Sequence, residues 1–177
     1  MFSKVSIIGC GLIGSSILRA TQEQKLATKI SVYDKSNKVI EYLKKNFTVD
    51  ICSNVTESAK DADLIIISTP LSSYKEILLS IKSKLKEGSI LTDTGSTKKE
   101  VNKIVNNLGL KNISWIASHP IAGTEYSGPA AGFSSLFKNR WCILSADNQV
   151  SKDKIVNLEK FWSKLGSKVK VMSFEDH

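Results

Sequence analysis

Residues 5–14, VSIIGCGLIG, constrain the fold more than any other stretch of the chain, because an apolar strand-like run passes directly into G-x-G-x-x-G. That order predicts a strand over Val5–Ile8, a tight glycine turn and a helix running to about Gln24. Each glycine has a physical purpose. Gly9 permits the turn, Gly11 lets backbone approach a pyrophosphate, and Gly14 allows close contact between helix and strand. Leu12 and Ile13 open the helix, whose free N–H groups and positive dipole end suit phosphate oxygens. Asp34 lies 20 residues beyond Gly14, at the end of a second strand, KISVY (29–33). Its carboxylate would accept hydrogen bonds from adenosine ribose hydroxyls and repel a 2′-phosphate. The expected cofactor is therefore NAD, with NADP disfavoured, although Lys35 and Ser36 beside it could soften that choice.

The rest of the chain continues the alternation. Helices are expected at 37–46, 55–60, 72–86 (closed by Gly88 as a C-cap), 97–108 and 153–164. Strands are expected at 49–52, 64–67, 90–92, 113–117, 141–144 and 169–172. Leu64–Ile67 (LIII) is continuously apolar, as a parallel strand covered on both faces should be. Strands separated by helices, without hairpin signals, indicate an α/β fold: a Rossmann-type, doubly wound, mostly parallel sheet with helices on both faces. The polar stretch Ser145–Asp153 reads as the connection between the last strand–helix pair. At 177 residues, 41 % hydrophobic and 24 % charged, one substantial domain is expected. No apolar run approaches the ~20 residues of a membrane span. The chain enters a strand pattern at once, without the h-region of a secretion signal. Cys10, Cys52 and Cys142 are odd in number and widely spaced, which points to reduced thiols in the cytoplasm and to neither disulfides nor a metal site. The formal charge of +8 is spread over lysines on presumed solvated faces. Without a basic–aromatic cluster or a known motif, it argues against nucleic acid as the partner.

The candidate chemistry lies in SHPIAGTEYSGPAAGFSSLFKNRWCIL (118–144). It contains His119, one of two histidines, fixed by Pro120 and followed by small, turn-prone residues. Such a loop has little apolar surface to pack, so the histidine reads as a catalytic-loop residue able to exchange a proton near neutral pH. Ser68-Thr69-Pro70 ends the fourth strand at the carboxyl edge, where ligands bind in open α/β sheets. It serves either as a cofactor contact or as a simple strand-ending turn. Asp93-Thr94-Gly95-Ser96 ends the next strand, and Ser96 either caps the following helix or takes part in catalysis, two roles that do not exclude each other.

With the glycine fingerprint, DTGSTK (93–98) and HPIAGTEYSGPAAGF together, the chain resembles the prephenate/arogenate dehydrogenase family of tyrosine biosynthesis along essentially its whole length. The resemblance implies an NAD-dependent enzyme that oxidises prephenate or arogenate by removing hydride from the ring carbon bearing the 4-hydroxyl, with loss of carbon dioxide. His119 matches the histidine that accepts a hydrogen bond from that hydroxyl, and Ser96 matches the serine that helps orient it. Gly123 and Thr124 lie in the loop lining the substrate pocket. The family continues into a helical C-terminal domain that forms a dimer and supplies an arginine to the substrate. Residues 1–173 are thus expected to be the NAD-binding domain and 174–177 the start of a linker, with His177 matching a linker histidine and expected to be exposed. Two other readings carry different signatures: a β-hydroxyacid-type dehydrogenase, against which the His119 loop argues, and a cofactor-binding module that binds NAD without turnover.

Overall fold

A computed structural model describes residues 2–110 and 112–177. Its strands are β1 (Phe2–Ile8), β2 (Ala27–Tyr33), β3 (Asp50–Ile51), β4 (Leu64–Ile67), β5 (Ile90–Asp93), β6 (Ser114–Pro120), β7 (Trp141–Ala146) and β8 (Lys168–Val171). The helices are α1 (Leu12–Glu23), α2 (Asn37–Asn46), α3 (Val55–Ala59), α4 (Tyr74–Ile81), α5 (Lys98–Leu108) and α6 (Lys152–Lys164). The eight strands form one sheet in the order β3-β2-β1-β4-β5-β6-β7-β8. Strand order reverses between β1 and β4, which opens a crevice at their carboxyl ends.

Burial follows from the patterning. All four residues of β4 are buried because the sheet is covered on both faces. On one face, Ile7, Ile17, Leu18, Ile66, Leu136, Phe137, Phe161 and Trp162 join α1, α6 and the long β6–β7 connection in a single core. On the other, Ile65, Ile67, Tyr74, Leu78, Val101 and Trp115 pack α3, α4 and α5. The sheet is parallel from β3 to β6, while β7 runs antiparallel to β6 and β8 parallel to β7. Residues 121–140 never cross the sheet as a helix, so the chain re-enters at the edge it left and β7 must run in reverse.

Three local expectations are corrected. The helix expected over 72–86 is a 3-10 turn (Leu71–Ser73), α4 and a second 3-10 turn (Lys82–Lys84). Gly88 is therefore not a helix cap; it sits in a turn at φ +74° and donates its N–H to Asn112 O. The chain has already turned extended at Leu85, three residues earlier. The N-cap of α5 is Thr97 rather than Ser96, and no side chain caps that helix. The sixth strand extends past Ala117 through Pro120, so His119 stands on the last residues of a strand rather than in the loop beyond it.

Candidate cofactor and catalytic site

The glycine turn has the geometry expected for its sequence. Gly9 adopts φ +89°, and a Cβ there would lie 2.7 Å from Ser68 O. At Gly14 a Cβ would fall 1.9 Å from Gly9 O, so helix and turn touch backbone to backbone. At Gly11 nothing comes within 4 Å, which leaves that backbone face open at the start of α1. Leu12 and Ile13 form the first, half-buried positions of α1. Asp34 closes the turn from the neighbouring strand: its Oδ2 accepts Cys10 N–H at 2.8 Å and its Oδ1 accepts Ser36 N–H at 2.8 Å. Ionised carboxylate oxygens retain lone pairs beyond these two bonds.

Directly across the crevice, Ser68 and Thr69 follow β4, half-buried, with Pro70 exposed. Ser68 Oγ shares a 3.0 Å hydrogen bond with Thr94 Oγ1, tying the ends of β4 and β5. Thr69 Oγ1 is buried with no hydrogen-bond partner, an unmet demand for one beside the open face of Gly11's turn. An open backbone face, a free helix N-terminus, an acidic acceptor at the end of β2 and an orphaned hydroxyl are together the fittings a dinucleotide requires.

A second set of groups stands at the same edge, on β5 and β6. His119 is half-buried, and its Nδ1 lies 3.0 Å from Nε2 of His177. His177 is thus half-buried against His119, not exposed as its place near the terminus suggests. Beneath them runs a buried polar network that sequence reasoning missed. Lys98 Nζ lies 2.7 Å from both carboxylate oxygens of Asp93 and also donates to Ser118 O, with both side chains essentially inaccessible. Asp93 further accepts Gly95 N–H at 3.0 Å and Ser118 N–H at 3.2 Å. Ser118 Oγ bonds Thr92 Oγ1 at 2.6 Å and accepts Trp162 Nε1–H at 3.1 Å. Lys98 therefore staples the 93–98 segment to the backbone just before His119. The two partners are both in DTGSTK, with the lysine five residues past the strand-ending aspartate at the first position of α5. Nothing in the sequence, however, distinguishes this lysine from its solvated neighbours.

Electrostatics follow from burial. Desolvation, then the Lys98 charge and then His177, hold the His119 imidazole below its ordinary value of 6.5, which favours the neutral, proton-accepting form. Burial pushes the Asp93 carboxyl up and the Lys98 ammonium down, and each is pulled back by the other. Burial also raises the Cys10 and Cys142 thiols, which makes them inert.

The remaining site residues are less enclosed. Ser96, Gly123 and Thr124 are all exposed, and Thr124 Oγ1 accepts Tyr126 N–H at 3.2 Å. Further along, the β6–β7 connection folds back onto α1: a Cβ on Gly132 would lie 2.2 Å from Ser15 Oγ, and Phe133 N–H donates to Ser16 Oγ at 3.1 Å. The loop leaving His119 is thereby anchored to the helix that opens at the glycine turn. The residues singled out from the sequence thus gather at one edge of the sheet, at the ends of β1, β2, β4, β5 and β6. Two cavities lie instead at the opposite end of the sheet, one of about 1260 Å³ lined by Lys25, Lys86, Lys154 and Lys160 among others. They hold none of the groups described above. No helix among the described residues is long and apolar enough to cross a membrane.

This sheet order, with a glycine turn and an acidic acceptor at its switch point, defines a Rossmann-type nucleotide-binding domain. The chain belongs to the family described as prephenate dehydrogenase, nucleotide-binding domain, which matches residues 17–171. It is 34 % identical to a cyclohexadienyl dehydrogenase of Zymomonas mobilis over 100 % of this chain and 60 % of that protein. It is also 34 % identical to a prephenate dehydrogenase of Lactococcus lactis over 88 % of this chain and 44 % of that one. The chain thus spans between about two fifths and three fifths of these relatives' lengths. Among solved structures, prephenate dehydrogenase from Aquifex aeolicus, in complex with hydroxyphenyl propionate and NAD+, has the same fold. Its TM-score is 0.88 at 24 % identity, over 100 % of this chain and 62 % of its own.

Proposed function

We propose that the chain is the cofactor domain of an NAD-dependent dehydrogenase that oxidatively decarboxylates prephenate to 4-hydroxyphenylpyruvate, or arogenate to tyrosine. One observation carries the reading: a half-buried imidazole, its neutral form favoured by burial, stands on the same sheet edge as a glycine turn open to phosphates. Gly9, Gly11, Leu12, Ile13 and Gly14 would hold the pyrophosphate, and Asp34 the adenosine ribose. Ser68, Thr69 and Pro70 would flank the dinucleotide, with the orphaned Thr69 hydroxyl as the polar contact. Bound NAD supplies the hydride acceptor. His119 takes the hydrogen bond from the substrate 4-hydroxyl and accepts its proton as that oxygen becomes a carbonyl. Ser96 orients the hydroxyl from the neighbouring strand end, while Gly123 and Thr124 border the substrate. Aromatisation drives the reaction, so positioning is the main task of the protein.

A helical domain following the linker at 174–177 completes the substrate pocket and forms a homodimer. That part of the proposal rests on the share of each relative the chain spans and on exposed apolar side chains beside His119. Ile121 (49 % exposed) and Trp141 (50 %) are joined by a backbone hydrogen bond, with Tyr126 (67 %) on the same connection. Three buried, unpaired thiols suit a reducing cytoplasm.

The test is His119→Asn in the full-length protein. Turnover of prephenate or arogenate should fall by roughly 10²–10⁴-fold, the range for loss of a general base, with KM for NAD unchanged. Near-normal kcat would remove His119 from the chemistry.

A further inference from the structure

His119 and His177 are 58 residues apart in sequence and meet because the segment after β8 returns toward the end of β6. His119 closes β6. His177 follows a turn after β8 that is tied down at several points. Met172 N–H donates to Leu144 O at 3.0 Å, Ser145 Oγ to Ser173 O at 3.4 Å, and Asp176 N–H to Ser173 Oγ at 3.1 Å. Phe174 in that turn packs against the core beneath α4 and α5. The second imidazole is therefore presented to the first by an anchored segment.

A 3.0 Å contact between two ring nitrogens is a hydrogen bond only if one carries the proton and the other a lone pair. The charged groups around the pair are the Lys98 ammonium and its counter-ion Asp93, and the lysine disfavours an imidazolium on either ring. A neutral pair shares one N–H, in either of two arrangements. If His177 donates, Nδ1 of His119 is the acceptor, its own proton sits on Nε2, and no lone pair is left for a substrate hydroxyl. If His119 donates from Nδ1, its Nε2 is free.

We propose that His177 is the positioning residue of His119: its Nε2 accepts the Nδ1–H, fixing ring plane and tautomer so that Nε2 of His119 is the proton acceptor. This rests on the function proposed above for His119. In the reacting complex the substrate O–H bond breaks and an N–H bond forms at Nε2. The hydrogen on the ring carbon leaves with its electron pair to the nicotinamide cofactor, and the hydroxyl oxygen's pair forms the carbonyl. His119 then carries a proton on both nitrogens, and its bond to His177 becomes charge-assisted and stronger as the charge develops. A proton taken up on His177 instead would reverse the hydrogen bond and silence His119 without touching it.

The experiment is long-range 1H–15N correlation on the 15N-labelled 177-residue chain, above the ordinary histidine range of pH. With two histidines in the sequence, His177→Gln assigns both rings by difference. The expected result is Nδ1–H with bare Nε2 on His119, kept in His177→Gln, whose amide oxygen can accept the same bond. In His177→Leu the two tautomers should mix. In the full-length protein His177→Leu should lower kcat by about 10–100-fold, the scale of lost orientation, with little change in KM, and His177→Gln should recover most of it. An Nε2–H tautomer in the wild type, or a His177→Leu protein with unchanged tautomer and kcat, would overturn the proposal. If His119→Asn abolishes turnover while His177→Leu does not, only the positioning role falls. If His119→Asn is also silent, the function assigned to His119 falls with it.

Discussion

Replacing Lys98 with methionine should destabilise the fold by about 3–5 kcal/mol, because it strands a carboxylate in the interior. The side chains of Lys98 and Asp93 are 1 % and 0 % exposed, so no water can take the place of the ammonium. Gly95 and Ser118 N–H would remain on Asp93, but neither carries a full charge to offset desolvation. Against a total stability of roughly 5–15 kcal/mol the loss is large, and for a chain of this size it corresponds to a fall in Tm of about 6–20 °C. Urea and thermal unfolding of wild type, Lys98→Met and Lys98→Met/Asp93→Asn provide the assay. The double variant should recover much of the loss, since an amide at 93 keeps acceptor capacity without a charge to bury. A single variant costing under about 1 kcal/mol, or a double variant no better than the single, would refute the reasoning. Either result would mean that Asp93 is not held as a charge by Lys98.

Asp34→Ala should narrow the preference for NAD over NADP by about 1–3 kcal/mol, measured by titrating both cofactors, because it removes the acceptor for the ribose hydroxyls and the repulsion of a 2′-phosphate. Equal affinities in the wild type would shift discrimination to Lys35 and Ser36. The histidines set an acid limb. Both are held below 6.5 in the folded state, so on acidification the unfolded chain binds protons first. Their contribution to stability is complete above pH 6.5 and declines as pH falls below it, by at most about 1.4 kcal/mol per pH unit per histidine. Urea midpoints followed from pH 7 to 5 should show that slope, and it should flatten in His119→Asn.

Residues 5–14 and Asp34 specified the glycine turn and the acidic group that closes it from sequence alone. The same holds for the alternation of LIII, KISVY and the amphipathic helices, which specified the layers of the sheet. These are local facts: a turn that only glycine can make, and a period that only one layer arrangement can bury. His119 stood out as a candidate for chemistry for a similar reason, being a titratable ring ahead of residues too small to pack it. Tertiary structure decided the rest. Whether β7 runs with or against β6 depends on which sheet edge residues 121–140 return to, and no local period records that. Lys98 is one lysine among many until the ends of β5 and β6 close over it and make its charge the counterpart of Asp93. His177 looks like an exposed residue near a terminus until the turn after β8 brings its ring within 3.0 Å of His119. Pairings between residues 58 apart are set by sheet order and strand length, and these are properties of the folded chain as a whole.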